Sequence, residues 1–519
     1  MKNIFSGNHK KGKVSDKLKG AELVLDVIEK SDLWLFHDQL NEAYAVIAGD
    51  GASIMKIDSQ KFHNWLFNHI YDETGKISNT AACEAAIKVL KHQAETGNLF
   101  ELGVRVKLRE GGIWYDLGGQ NFVSIAEDGW LVTDPPQPIL FKRFGHQKEQ
   151  VRPEREGSMN EFMELINLQD KKESLLLMVY LVASFIPNFP HPVLIVHGSQ
   201  GAAKSTACKL IKELVDPSAL ETSTINDDKD IKELVQAASH HWLLVLDNIS
   251  YISEKISDTI SRICTGGGLS KRIHYSNDDD FIYNFMHIVA INGIHQIVSK
   301  PDLLDRSILL ALERIPEDKR ITEEQLWGRF NAMKGRVLGA VFDAVSGALR
   351  EYPNVQLATL PRMADFARWG CAIARTLGYT DEDFMNVYKT NIGRQNQEAL
   401  SASATAAVII KLMEDNDVFE DTPSALLRLM DPIADDLKVK EAKDYPRQAN
   451  WLWRRIEAVI PNLADAGIKV EQTKDTERKI KISKILRGDD STEIMPSSEK
   501  PAEEPAKDSI DSIDGTFPL

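Results

Sequence analysis

Cysteine is scarce in this chain and long apolar runs are missing. Cys83, Cys208, Cys264 and Cys371 form no CxxC pair, and no histidine stands beside them at zinc spacing. That pattern argues against a disulfide framework or a thiolate metal site and points to buried thiols in a reducing compartment. The longest apolar stretch, LLLMVYLVASFI at 175–186, is too short to span a bilayer and stops at Pro187, so it reads as a buried helix. The N-terminal MKNIFSGNHKKGKVSDK is basic but lacks the apolar centre of a secretion signal. A cytoplasmic protein with no membrane partner is expected. An excess of positive charge is also absent, the formal charge being −15. From Gly488 onward, however, nine acidic residues face two lysines, so about half of that charge lies in one tail. The tail is rich in Ser, Pro, Glu and Asp and reads as disordered. The rest is only mildly acidic, which leaves nucleic acid open as a partner.

What is present divides into segments. Residues 1–20 are a basic, disordered N-terminus, and 21–155 mix helix and strand signals. SQKFHNWLFNHIYDETGK and SNTAACEAAIKVLKHQAE have helical apolar spacing, each opening on a serine suited to cap it, Ser59 and Ser78. Short strand-like pieces follow: GVRVKL, GIWYDLG, NFVSIAEDGWLV and PILFKRF. The result is an α+β domain of unknown role, without the clustered carboxylates of a polymerising centre. Residues 156–318 alternate apolar strands with helices, as a parallel α/β sheet requires. A helical region at 319–400, a helix-and-hairpin unit at 401–486 and the acidic tail at 487–519 complete the chain.

The chemistry centres on HPVLIVHGSQGAAKSTACKLIKEL, 191–214. An apolar strand runs into a glycine-bearing turn and then a helix opening on Lys204 and Ser205. In this arrangement the loop amides of Gly198, Ser199, Gln200, Gly201, Ala202, Ala203, Lys204, Ser205 and Thr206 turn inward to cradle phosphates, and the helix N-terminus points at the same place. Lys204 reaches the β and γ phosphates and the Ser205 hydroxyl holds Mg²⁺. The pattern G-x-x-x-x-G-K-[ST] fails at one position, where Ala203 replaces glycine; the methyl is tolerated if its φ is negative. HWLLVLDNIS (241–250) supplies a second apolar strand ending in Asp247, a carboxylate placed to hold Mg²⁺ through water. FMHIVAINGI (285–294) supplies a third, ending in Asn292, which either orients the attacking water or caps a turn. ATP and Mg²⁺ are the expected ligands.

With these three motifs in order, ICTGGGLSKRIHYSNDDDFIYNFMHIVAINGI and the following PDLLDRSILLALERI resemble the ATPase core of superfamily 3 helicases. More closely, they resemble the helicase-like ATPases of phages, plasmids and bacterial genomic islands, related to poxvirus-type primase-helicases. The resemblance covers about 160–315 and extends through LPRMADFARWG (360–370). It implies an α/β P-loop NTPase core of AAA+-like fold, working as a ring, expected to be a hexamer, with ATP between subunits. Arg306 falls where the family places an arginine finger, which neutralises charge on a neighbouring subunit's γ-phosphate. The family also inserts a β-hairpin that grips DNA in the ring channel. Here SKRIHY and FIYNF alternate like its paired strands, and Lys271 and Arg272 match basic family positions. The expected tip carries Asp278, Asp279 and Asp280, which repel a phosphate backbone, so the base of the hairpin grips or the tip meets protein. Another departure is Asn248, where many related ATPases carry a glutamate general base. Asparagine orients water but accepts no proton at neutral pH.

DTPSALLRLMDPIAD opens on Asp421 as an expected N-cap, with Pro423 in the first turn. YPRQANWLWRRIEAVIPNLADAGI puts Leu452, Ile456, Val459, Ile460 and Leu463 on one face of a single expected helix. Arg447, Trp451, Arg454 and Arg455 lie off that stripe. IKVEQ and RKIKISKI then form a hairpin around TKDTE, with Lys474, Arg478 and Lys479 on its wing. Helices followed by a hairpin make a winged-helix domain, which binds duplex DNA or docks protein; the basic residues favour DNA. The expected function is an ATP-dependent DNA helicase or translocase for replication initiation of a mobile element or phage, with a primase as a candidate partner. A DNA-bound assembly switch with little turnover is the alternative, favoured by Asn248. A small-molecule kinase leaves the winged helix and Arg306 unexplained.

Overall fold

A computed structural model describes residues 19–47, 53–109, 111–134, 141–225, 227–249, 251–267, 269–272, 280–283, 286–293, 301–442, 444–474 and 478–485. The acidic tail, nearly all of the basic N-terminus, and Asp278 and Asp279 lie outside these residues. The chain is a mixed α/β protein with several sheets. Among the described residues, no helix is long and apolar enough to cross a membrane.

The central sheet has four parallel strands in the order Leu243–Ile249, Ile288–Gly293, Val193–Gly198, Ser307–Leu312. All four are continuous apolar runs, the signature of a sheet covered on both faces. A fifth segment touches the Leu243–Ile249 strand only through a parallel bridge from Ser223 to Leu246. At the opposite edge, beyond Ser307–Leu312, the ladder is closed without a strand. The Asn391 side chain accepts from Leu309 N–H at 3.0 Å and donates to Leu309 C=O at 2.6 Å. Further along the edge, Gln169 N–H donates to Ala311 C=O and Glu313 N–H to Asn167 C=O. Open strand edges are templates for unwanted pairing, and this one is occupied along much of its length.

The N-terminal part contains two further four-stranded sheets. The first packs on the helices Gln60–Thr74 and Thr80–Glu95 with its own core around Phe62, Leu66 and Ala86. Ser59 caps the former as expected, but the latter is capped by Asn79 rather than Ser78. The second sheet, 106–133, shares one core with the Ser174–Ala183 helix and the helical region, through Tyr115, Phe185 and Phe342. The core therefore runs across the expected boundary at residue 155. It includes all nine residues Leu175 to Ala183, so the longest apolar stretch is indeed a buried helix. Of PILFKRF, the described part carries only a bridge from Phe141 to Gly103.

The helical region comprises Glu323–Glu351, Ala364–Thr376 and Asp381–Ala402. The C-terminal unit has a separate core around Leu426, Ile456 and Ile482. Its sheet has three strands, not a bare hairpin, because Val418–Asp421 pairs with Arg478–Lys484, which in turn pairs with Ile468–Lys474. The helix after that first strand is capped by Thr422, not Asp421. The expected single helix across 452–463 breaks at Val459 into Ala449–Glu457 and Ile460–Asp465, with Pro461 in the first turn of the second. Proline lacks the N–H a continuing helix requires, so the break follows from the sequence.

Burial pushes His191 and His241 down to about 3 and His240 and His287 down to about 4. The folded state thus keeps them neutral where the unfolded chain protonates near 6.5. Between about pH 6.5 and 4 the unfolded chain binds more protons, so stability rises with pH there and is lost on acidification. For fully buried His191 and His287 the slope approaches about 1.4 kcal/mol per pH unit each. Thermal melts should show Tm flat above pH 7 and falling from pH 7 to pH 5.

Candidate nucleotide site

The loop strand Val193–Gly198 ends at the carboxyl edge of the sheet, and the helix Lys204–Val215 leaves from the same point. Gly198 has φ 150°, and a Cβ there would sit 2.4 Å from the Leu312 carbonyl oxygen, so only glycine fits. Gly201 is also left-handed, at φ 85°. The condition set for Ala203 fails: its φ is 57°, in the left-handed region where glycine is at ease and alanine is strained. The loop keeps the backbone path of the glycine it lacks. Lys204 Nζ donates to the carbonyls of Gly198 at 2.9 Å and Ser199 at 3.1 Å, folding the ammonium back over the loop.

Two strand tips meet the start of the loop helix here. Ser205 Oγ donates to Asp247 Oδ1 at 3.0 Å. Asn292 Nδ2 donates to that same carboxylate oxygen, and to Ser205 Oγ at 2.9 Å. Asn292 is buried and its Oδ1 has no hydrogen-bond partner among the described residues. A buried acceptor left in this state costs about 1–3 kcal/mol, which favours a site completed by a donor from outside the chain. Asn248 follows Asp247 in the left-handed region at φ 57°, its N–H donating to Asp247 Oδ1 at 2.8 Å. The ladder shifts register there, between Leu246 and Ile249, and this turns the strand tip outward.

Magnesium takes six oxygen ligands and is usually held by one or two protein oxygens plus phosphate and water. The Ser205 hydroxyl and Asp247 carboxylate fit that demand. Among the described residues, no three His, Cys, Asp or Glu side chains form a metal cage. Lys204 and the loop amides fit a triphosphate, and the orphaned Asn292 oxygen fits a donor beside it, such as a water.

Sequence reasoning missed one cation. Arg314 follows the edge strand, is exposed, and its Cγ and Nε lie 3.8 Å from where a Gly201 Cβ would be. Ile315 N–H donates to Gly201 C=O at 3.3 Å, so this segment is tied to the loop. Only the pairing of Leu312 with Gly198 brings it there, a contact no local motif announces.

Arg306 is not at this site. It precedes the edge strand, whose Ser307 pairs with Val193 and whose Leu312 pairs with Gly198. The six residue steps from Arg306 to Leu312 put Arg306 roughly 20 Å from the loop, at the opposite end of the strand. There Arg306 Nη2 lies 3.4 Å from Asp302 Oδ1, while Arg362 bonds both Asp302 and Asp305.

Lys271 and Arg272 lie on Leu269–Arg272, which pairs antiparallel with Asp280–Tyr283. Asp280 stands opposite Arg272 within the hairpin rather than at its tip. In the C-terminal unit Trp451 is 49% exposed on the Ala449–Glu457 helix, with the Arg454 guanidinium 5.9 Å from its ring centroid. Arg447 is exposed and 3.2 Å from Glu441, and Arg455 is half-buried. Lys474 pairs in register with Arg478 where the two strands are connected, and Arg478 and Lys479 are exposed.

Residues 159–392 match the family described as "Actinomycete integrative conjugative element replication protein", and residues 405–497 match the AICE RepA C-terminal domain. These matches define the chain as a replication protein of a mobile integrative element. More particularly, they make it one of the RepA type found on actinomycete integrative conjugative elements. Among solved structures, the A form apo structure of the NrS-1 C-terminal region (305–718) is similar at 13% identity and TM-score 0.39, over 90% of this chain and 100% of that one. A second apo structure of that region is similar at 13% identity and TM-score 0.38, over 88% and 97%. No curated protein matches the chain.

Replacing Ala203 by glycine removes a left-handed alanine worth roughly 1–2 kcal/mol of strain, offset in part by glycine's greater unfolded entropy. We expect Ala203→Gly to raise stability by up to about 1 kcal/mol in denaturant unfolding. Nucleotide affinity should change little, because the donated amides stay the same.

Proposed function

We propose that this replication protein is a DNA-dependent ATPase of the P-loop, AAA+-like class that moves along or unwinds DNA at initiation. The observation that carries the reading is the meeting of Ser205, at the start of the loop helix, with Asp247 and Asn292 at the tips of adjacent parallel strands, beside a glycine-turned loop. Ser205 and Asp247 would hold magnesium, which would supply positive charge against that of the phosphates. The chain's own residues do the rest. The loop amides and Lys204 hold the triphosphate, and Ser205 and Asp247 fix the metal's position. Asn292, locked by its two donated bonds, turns its free Oδ1 toward a water proton beside the γ-phosphate. Arg314 adds a positive charge at the loop from the same subunit.

Arg306 is too distant to serve its own loop, which supports its acting on ATP held by a neighbouring copy in a ring. Lys271 and Arg272 at the base of the hairpin are proposed to contact single-stranded DNA. The C-terminal unit is proposed to bind duplex through Arg447, Arg454, Arg455, Lys474, Arg478 and Lys479. Its order of helix, strand, three helical segments and hairpin supports a winged helix. The second reading is a DNA-bound assembly switch that hydrolyses ATP slowly. Asn248 favours it, since an amide stands where a base would be useful.

ATP turnover with and without single-stranded DNA decides between them. DNA-stimulated turnover that Lys204→Ala abolishes supports the motor; tight ATP binding with no turnover supports the switch. Arg306→Ala should lower turnover by roughly 10³-fold, as for arginine fingers elsewhere. Mixing Arg306→Ala with Lys204→Ala subunits should restore part of it, because some interfaces then combine an intact loop with an intact arginine. No recovery would count against a shared site. Arg314→Ala should weaken ATP binding on the order of tenfold, about the worth of one charge-assisted bond. Equilibrium binding of ATP measures it.

A further inference from the structure

The helix Asp381–Ala402 lies between the start of the edge strand and the C-terminal unit. Toward the strand it presents two almost fully buried amides. Asn391 takes both backbone groups of Leu309, at 3.0 and 2.6 Å, and Gln395 donates to the Ser307 carbonyl and, at 3.3 Å, to Asn391 Oδ1. Ser307 directly follows Arg306, whose own carbonyl accepts from Val193 N–H at 2.9 Å. The backbone at Arg306 is thus set by the loop strand on one side and by this helix on the other.

One residue beyond Gln395, and about 100° around the helix, Asn396 faces the C-terminal unit. Its Nδ2 donates to Asp465, and its Oδ1 accepts from Asn462 Nδ2 at 2.9 Å. Asn462 and Asp465 belong to the short helix Ile460–Asp465, which leads directly into the first strand of the hairpin. A single turn of helix therefore carries polar side-chain bonds in both directions.

Arg306 is also loosely held. Its closest carboxylate, on Asp302, is shared with Arg362, and its Nε is buried with no hydrogen-bond partner among the described residues. Small shifts at Ser307 would re-aim such a side chain, because no short bond among the described residues pins its tip.

We propose that the helix Asp381–Ala402 positions Arg306 through Asn391 and Gln395, and that Asn396 relays DNA engagement by the C-terminal unit to it. The inference rests on the reading of Arg306 as the arginine that completes a neighbour's ATP site. Asn391, Gln395 and Asn396 are positioning residues, since none touches nucleotide.

The test uses the full chain, wild type and Asn396→Ala, a half-buried position outside the nucleotide and DNA machinery. Two readouts are taken with a duplex oligonucleotide: the stimulation of ATP turnover, and amide hydrogen exchange at Leu309, whose N–H Asn391 accepts. In wild type, duplex should stimulate turnover and change exchange at Leu309. In Asn396→Ala, basal turnover and duplex affinity should stay within about twofold while stimulation falls roughly fivefold or more and the Leu309 response disappears. Asp465→Ala should reproduce this, and the double variant should be no worse than either single one. An Asn396→Ala protein that keeps wild-type stimulation and exchange response overturns the relay, as does a wild type whose Leu309 exchange ignores bound duplex. Absence of turnover in wild type sinks the ATPase reading, while the exchange response still decides the relay. Failure to bind duplex sinks both.

Discussion

One buried carboxylate holds the nucleotide half of the molecule together. Asp216, fully buried just past the C-terminal end of the loop helix, accepts from Arg105 Nε at 3.1 Å and Lys212 Nζ at 2.7 Å. It also accepts from the backbone N–H groups of Trp242 and Leu243, at 3.0 and 3.2 Å. Burial alone would raise its pKa, but the Lys212 and Arg105 charges outweigh burial and hold it well below the usual carboxylate range. Its ionised state is thus secure throughout the neutral range, and removing a partner from such a cluster typically costs about 3–5 kcal/mol. The cluster joins three distant pieces of chain. Arg105 comes from the N-terminal part, Lys212 from the loop helix, and Trp242 and Leu243 from the root of the strand that ends in Asp247. Any tilt of the loop helix relative to that strand would strip bonds from a buried charge. This constraint keeps Ser205 and Asp247 within bonding distance at the far end of both elements.

The N-terminal sheet gains a physical role from the same cluster. Arg105 also donates to the carbonyls of Asp116, Lys148 and Pro217, while Tyr115 and Gln150 donate to the carbonyls of Val215 and Leu214. The last carbonyls of a helix lack partners within it. Here Tyr115 of the N-terminal sheet and Gln150, beyond that sheet, supply them, so the loop helix is clamped at its base, away from the proposed phosphate site at its N-terminus. Lys334 from the long helix reaches Glu213 at 2.9 Å and adds a third wall.

What the sequence made legible follows from how local each signal was. The strand, glycine turn and lysine of 191–214 lie within one window, and Asp247 and Asn292 are tips of apolar runs, so the sequence alone shows these elements. The three-dimensional meeting of Ser205, Asp247 and Asn292 follows from parallel strands sharing a carboxyl edge. Other features escaped because tertiary contacts decide them. Ala203 sits left-handed because the loop closes between a glycine jammed against Leu312 and the helix that follows. A residue type cannot report its own φ. Arg314 and Arg105 reach their places through pairings more than a hundred residues apart, and Val418–Asp421 becomes a strand only because Arg478–Lys484 lies beside it.

Of the six non-glycine residues in the left-handed region among the described residues, two, Ala203 and Asn248, flank one site. Each costs little, and asparagine tolerates the region better than alanine. Their clustering still fits the rule that strained backbone collects where geometry serves a task. Ala203 carries the amide that opens the loop helix, and Asn248 turns the chain so that its own N–H bonds the Asp247 carboxylate. A glutamate at 248 in the same backbone would pay more for that conformation, and asparagine's ease there offers a structural reason for its presence. The position most at odds with fast hydrolysis is thus also one that helps to fix the proposed metal-binding carboxylate. In the proposed mechanism the nucleotide would therefore be firmly held, and the rate of its cleavage would depend on groups brought from outside the subunit, foremost the Arg306 proposed to act from a neighbouring copy.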